Sequence, residues 1–227
     1  MANRYFLADL PPPGRHPLPD ALAHHLGRVL RARVGDELQL GDGRGGTALA
    51  TIAELDRRGV QVEVAGATRQ EPPPCALTLA FAVPRLQRVE WLLEHGTEVG
   101  VAAFQPIWTQ RTRPTEARTE RCERIVAAAA GRCDRPWLPQ VLPGRERADL
   151  LASSDLPATR YVARADGSLP AASPRGPAVL LVGPEGGFTA DEAEAIAAAG
   201  CRGLRLGRHV LRTETAALVG AAVLLLA

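Results

Sequence analysis

The sequence predicts an α/β protein with a mainly parallel sheet, preceded by a small β-barrel. Three observations predict it. Short β-like runs separated by tight turns fill the chain up to a proline triplet at Pro72–Pro74. From Leu77 onward, strand-like and helix-like segments alternate. Near the C-terminus, two strand–loop–helix units follow one another, LLVGPEGGFTADE from Leu180 and LRLGRHVLRTETAAL from Leu204.

The elements follow in order. Asp20 to Arg31 reads as a short helix, and Glu37–Leu40, Thr47–Leu55 and Gly59–Ala65 read as strands. In the last of these Val60, Val62 and Val64 alternate with Gln61 and Glu63, the pattern of a half-exposed strand. Gly41–Gly46 matches G-x-G-x-x-G, but a strand-like run follows where a dinucleotide site needs a helix, so it reads as a hairpin turn. The boundary falls in Ala67–Ala76, giving domains at 1–70 and 75–227. Beyond it come strand Leu77–Phe81, helix Arg85–Gly100, strand Phe104–Trp108, helix Glu116–Cys133, a short helix at Glu146–Ser153 and strand Arg160–Ala163. Ala178–Val182 is an apolar strand, and Thr189 with Glu192 has the spacing of a capping box that starts a helix. Gly203–Leu206 is the next strand, Gly207–Arg212 a loop, and a helix begins near Thr213.

Composition excludes several classes. The longest apolar run, Ala216–Ala227, has 12 residues, where a membrane span needs roughly 20. It predicts a buried helix or a subunit contact instead. The N-terminus lacks the long apolar region of a secretory signal. Cys75, Cys122, Cys133 and Cys201 form no CxxC pair and have no histidine at ligand spacing. Reduced thiols, no metal and a cytoplasmic location are therefore expected. No G-x-x-x-x-G-K-[ST] occurs, which argues against a nucleotide-phosphate enzyme. All 27 basic residues are arginine, which codon bias in a GC-rich genome explains. Their clustering is more informative: residues 1–35 carry five Arg against two acids, and 108–147 carry nine against five. Such clusters suit a polyanion such as RNA.

With GPEGG at Gly183–Gly187 followed by LGRHVLRTETA at Leu206–Ala216, the chain resembles the SPOUT methyltransferases, and more narrowly the bacterial 16S ribosomal RNA uridine-N3 methyltransferases. His24–Gly45 is similar to that family's PUA-like barrel, and Thr97–Val101 (TEVGV) with Gln105-Pro106-Ile107 and Arg111 fits its middle segment. The resemblance implies a deep trefoil knot, a homodimer, S-adenosyl-L-methionine (SAM) held in the knot loops, and methylation of one uridine near the 3′ end of 16S rRNA. It carries the cofactor role to Val182, Gly183, Pro184, Glu185, Gly186, Gly187, Leu206, Gly207, Val210, Leu211 and Thr215. His209, His95 and Gly131-Arg132 depart from the family's usual residues.

The residues themselves suit this chemistry. Gly183, Gly186 and Gly187 permit close backbone approach and positive φ. Arg212, always protonated, suits stabilisation of charge on uracil oxygens or the grip of a phosphate. Glu214 or Glu185 is the candidate acceptor of the N3 proton, although Glu214 equally suits the first turn of a helix. Arg4, His25, Arg28, Arg31, Arg33, Arg111, Arg113 and Arg135 are candidates for the rRNA backbone. A related enzyme acting on tRNA or another rRNA nucleotide, and a non-catalytic RNA-binding protein, are the competing readings.

Overall fold

The computed structural model describes residues 3–82, 86–112, 119–170 and 172–226. The chain divides into two compact units, Met1–Pro72 with Ala130–Leu138, and Pro73–Ala129 with Pro139–Ala227.

In the first unit β1 (Arg4–Phe6), β3 (Glu37–Gly41), β4 (Gly46–Asp56), β5 (Gly59–Arg69) and β2 (Gly14–Pro17) form one sheet in that order. Only the β1–β3 pair is parallel. The alternation along β5 is observed, with Val60, Val62 and Val64 packed with Leu26, Leu40 and Ile52 in the core. The expected single helix is instead a short α1 (Asp20–His24) running into a π-helical turn, His25–Val29. The glycine-rich run is a hairpin turn, in which the Asp42 carboxylate accepts hydrogen bonds from the N–H groups of Arg44 and Gly46.

The sequence boundary assigns 130–138 to the second domain, whereas the structure groups it with the first. The reason is hydrogen bonding: Gly45 N–H donates to Pro136 O at 3.2 Å and Leu138 N–H to Gly43 O at 3.0 Å. Gly131, one of the departures from the family pattern, lies so close to the Arg4 carbonyl that a Cβ would collide with it.

The second unit is built on a parallel sheet in the order β12 (Arg202–Leu204), β10 (Thr159–Ser168), β11 (Gly176–Val182), β6 (Cys75–Ala82), β7 (Ala103–Trp108) and β8 (Gln140–Val141), with β9 (Arg145–Glu146) also beside β7. Helices α2 (Leu86–Val99), α3 (Thr119–Arg132), α4 (Arg147–Ala152), α5 (Ala190–Ala198) and α6 (Thr213–Leu226) complete it. Both faces of the sheet are covered, so β11 is apolar at every position from Ala178 to Val182. Leu180 and Val182 join a core with Leu92, Phe104, Ala217 and Leu224, while Val179 and Leu181 join Leu150 and Ile196 on the other face. Helix α6 packs on β6, β11 and α2. Its Gly220 lies against the sheet, and a Cβ there would come within 2.6 Å of Leu180.

The capping box is present, and its carboxylate reaches further than the motif requires. Glu192, 1% exposed, accepts the Thr189 N–H at 2.9 Å and the Gln110 N–H at 3.0 Å. Arg147 Nε lies 3.4 Å away. Burial raises the carboxyl pKa, but the two N–H groups and the guanidinium outweigh it and hold the group below its ordinary value. A carboxyl depressed in the folded state contributes stability above its unfolded pKa and loses it as pH falls through the folded one. Glu192→Ala is therefore expected to lower stability by about 3 kcal/mol at pH 7. The deficit relative to wild type should shrink in acid, where the wild-type carboxyl is itself protonated. Urea unfolding of both proteins across pH 3 to 7 checks this; a deficit independent of pH would contradict it.

Candidate active site

Three loops meet at the carboxyl ends of β10, β11 and β12, where an open parallel sheet offers a crevice. They are the bulged end of β10 at Arg164–Gly167, the glycine loop Gly183–Phe188 and the loop Arg205–Leu211. Together they enclose a cleft of about 690 Å³, within the range of small-molecule sites.

Of the residues expected to hold a cofactor, Val182, Gly183, Pro184, Glu185, Gly187, Leu206, Gly207, Val210 and Leu211 line this cleft. Gly186 and Thr215 do not. Gly186 borders a neighbouring cavity, and Thr215 lies inside α6, where Thr213 lines the cleft in its place. The glycines also differ from expectation. Among those of the loop only Gly187 has a positive φ, 70°, with its N–H closing a turn onto Pro184 O at 2.8 Å. Nothing lies within 4 Å of a Cβ built there or at Gly207 (φ 154°), so both face open space. A Cβ at Gly183 would instead meet the Phe188 ring at 3.0 Å.

The neighbouring cavity, about 790 Å³, is lined by Arg88, Arg111 and Arg212. Pro184, Glu185, Val210, Leu211 and Thr213 border both spaces and so form a common wall. Thr213 fixes that wall by donating its hydroxyl to Gly183 O at 3.0 Å. The three arginines are not equivalent. Arg111 donates to the carbonyl oxygens of Gly186 and Gly187 and so latches the glycine loop. Arg88 is ion-paired with Glu214. Arg212 is exposed, and its guanidinium has no partner among the described residues.

This arrangement brings Glu185 to the common wall and Arg212 to the neighbouring cavity, but Glu214 to neither. The Glu214 side chain is only 8% exposed, with one oxygen committed to Arg88 and the other without a hydrogen-bond partner among the described residues. It borders neither cavity. Arg88, Thr213 and Phe188 were missed in the sequence. Thr213 had a local signal, lying beside Arg212, while Arg88 had none.

The expected RNA contacts separate similarly. His25, Arg28, Arg31 and Arg33 are exposed on the first unit, alongside the exposed apolar residues Val29, Leu30 and Val34. Arg4 is a correction: it is 5% exposed and donates to Gln39 at 2.9 Å and to Asp134 at 2.5 Å, so it holds the first unit together. Arg135 is half-buried, with its pKa lowered by that burial, and is engaged with neighbouring groups. Arg113 lies outside the described residues. Among the described residues no cluster of His, Cys, Asp and Glu could hold a metal ion, and no helix is long and apolar enough to cross a membrane.

A parallel α/β unit with a ligand-sized cleft at its carboxyl edge, beside an arginine-lined cavity, has the form of a protein that binds a small molecule next to an anionic partner. Comparison with known proteins narrows the class. The family described as an RNA methyltransferase domain matches residues 71–225, and the RNA methyltransferase PUA domain matches 18–65. The chain belongs to this RNA methyltransferase family. It is 35% identical to ribosomal RNA small subunit methyltransferase E of Synechocystis sp., across 90% of this chain and 71% of that protein. It is 30% identical to the Mycobacterium bovis protein of the same name, across 96% and 89%. The Neisseria gonorrhoeae protein of that name, crystallised with S-adenosyl methionine, superposes with a TM-score of 0.89 at 30% identity, covering 98% of this chain and 96% of that one. A Legionella pneumophila protein solved with bound SAM gives a TM-score of 0.88 at 26% identity, across 99% and 97%.

The glycine geometry yields a contrast between neighbours. Gly187→Val places a β-branched residue at positive φ, a strain of about 1–2 kcal/mol, and fills open space in the cleft. Gly186→Ala meets only the flexible Arg111 side chain, at 3.3 Å. Calorimetry with SAM should show at least about tenfold weaker binding for Gly187→Val and near wild-type binding for Gly186→Ala. The reverse order would contradict the site.

Proposed function

We propose that this protein is a SAM-dependent methyltransferase that transfers a methyl group to N3 of one uridine near the 3′ end of 16S rRNA. The observation that carries the proposal is the common wall between a cofactor-sized cleft and a cavity lined by Arg88, Arg111 and Arg212. The residues present fit the cofactor: Gly187 and Gly207 leave space, and Phe188, Leu206 and Leu211 offer apolar surface. The relatives named for ribosomal RNA small subunit methylation, and the solved proteins that hold SAM, support the same reading.

When bound, the cofactor supplies a sulfonium methyl group, and S-adenosylhomocysteine is left after transfer. The protein's own residues do the rest. The common wall sets the distance and line between methyl donor and acceptor nitrogen. Glu185, on that wall, accepts the N3 proton directly or through a water as the N3–CH₃ bond forms. As the proton leaves and before the N3–CH₃ bond is complete, charge developing on N3 spreads to the flanking carbonyl oxygens, where Arg212, exposed on the cavity and without a partner among the described residues, stabilises it. Glu214, paired with Arg88, orients that guanidinium and the start of α6.

Exposed His25, Arg28, Arg31 and Arg33 supply a phosphate-binding surface for rRNA, whether free or in the small subunit. The return of the chain from the edge strand β12 to α6, packed on central strands β6 and β11, supports the trefoil knot of the resembled family. Exposed Trp91 and Leu226, on the paired helices α2 and α6, support a homodimer. A cytoplasmic location follows from the substrate.

Primer extension on 16S rRNA tests the substrate, because N3 methylation blocks base pairing and stops the polymerase. A strain lacking the protein should lose one stop near the 3′ end; an unchanged pattern would contradict the proposal. Arg212→Ala should lower the single-turnover rate at saturating RNA about 10²–10³-fold while sparing SAM affinity, with Arg212→Lys recovering only part. A near wild-type rate would show that Arg212 grips a phosphate instead. Light scattering should give about twice the chain's 24.1 kDa; a monomeric mass at micromolar concentration would exclude the dimer.

A further inference from the structure

One wall of the cleft is built by an irregularity in the sheet. Strand β10 pairs with β12 in register up to Ala163 opposite Leu204, and then Ser168 also faces Leu204. The four residues between, Arg164 to Gly167, are pushed out of the ladder. Bulges of this kind re-aim side chains beside functional sites. The return is tight, because a Cβ at Gly167 would come within 2.5 Å of the Gly203 backbone. The bulge places Arg164 and Asp166 on the cleft. There they form a two-pronged pair, Nε to Oδ1 at 2.8 Å and Nη2 to Oδ2 at 2.7 Å. Hydrogen bonds from Arg164 hold the Asp166 carboxyl below the usual carboxylate range, so it is ionised at neutral pH.

We infer that this extruded pair is the receptor for the amino-acid end of the methyl donor: Asp166 accepts hydrogen bonds from the α-ammonium group and Arg164 donates to the α-carboxylate. The inference rests on the cofactor reading above and names the part of the cleft that selects the zwitterion. Charge complementarity supports it, since the donor's tail carries one ammonium and one carboxylate on the same carbon, and the wall offers one partner for each. Among the described residues lining the cleft, Asp166 and Glu185 are the carboxylates. Glu185 also borders the arginine-lined cavity, where the proposed function assigns it to the uracil proton, and that leaves Asp166 for the ammonium. Arg205 and Arg208 also line the cleft but supply only positive charge. Both members of the pair are exposed, with side chains 43% and 69% accessible, so parting them to admit a ligand costs little. Their exposure also means that substitutions should leave the fold intact.

Calorimetry with three probes tests this: SAM, S-adenosylhomocysteine, and 5′-methylthioadenosine, which keeps the adenosine and sulfur but lacks the amino-acid end. Asp166→Asn and Arg164→Gln should each weaken the first two about tenfold and leave 5′-methylthioadenosine unchanged, while Asp166→Glu keeps most of the affinity. Unchanged SAM affinity in both variants, or equal losses for all three probes, would overturn the inference while leaving the cofactor reading in place. Wild-type protein that binds none of the probes would overturn both.

Discussion

The Glu192 carboxylate is the constraint on which the carboxyl edge of the second unit depends. Loops at the end of a parallel sheet receive little help from the strands below, and here several of them must hold a common position. One buried carboxylate starts α5 through the Thr189 N–H, thereby fixing the exit of the glycine loop. It also accepts the Gln110 N–H, which fixes the loop after β7. Arg111, the next residue, reaches back to the Gly186 carbonyl. Burying this charge is unfavourable alone, and it persists because two N–H groups and Arg147 compensate.

With those loops fixed, the division of labour among the arginines becomes legible. Three guanidinium groups line one cavity, yet two are already occupied, Arg111 by backbone carbonyls and Arg88 by Glu214. A group that already serves a partner has less to offer a charge developing on a substrate, and of the three Arg212 alone is uncommitted among the described residues. The same reasoning separates the two glutamates. Glu214 is withdrawn into the structure beside Arg88, while Glu185 stands exposed on the wall common to both spaces. Thr213, bonded to Gly183, closes that wall.

What the sequence made legible was local. The apolar run at Ala178–Val182, the capping box at Thr189 and Glu192 and the alternation at Val60–Val64 are each fixed by neighbours in the chain. Misreadings arose where the deciding partner is distant. Arg4 counts as one more positive charge in a basic stretch until Asp134, 130 residues away, is seen to hold it. Glu214 invites a catalytic role until Arg88, 126 residues away, is seen to occupy it. The extrusion of Arg164–Gly167 depends on register against β12, which no periodicity within β10 reveals. The joining of 130–138 to the first unit depends likewise on hydrogen bonds to Gly43 and Gly45. The proposed knot rests on the resemblance and on the return of the chain to the central strands, since threading leaves no periodic trace in a sequence.

In the proposed reaction methyl donor and uridine meet across the wall formed by Pro184, Glu185, Val210, Leu211 and Thr213. A crystal structure with S-adenosylhomocysteine and a short uridine-containing RNA tests it most directly. The sulfur atom is expected against that wall in the glycine-loop cleft, with the uracil ring on the far side between Arg111 and Arg212 and its N3 in line with the sulfur. A nucleoside bound outside the cleft, or a uracil ring away from the arginine-lined cavity, would contradict it.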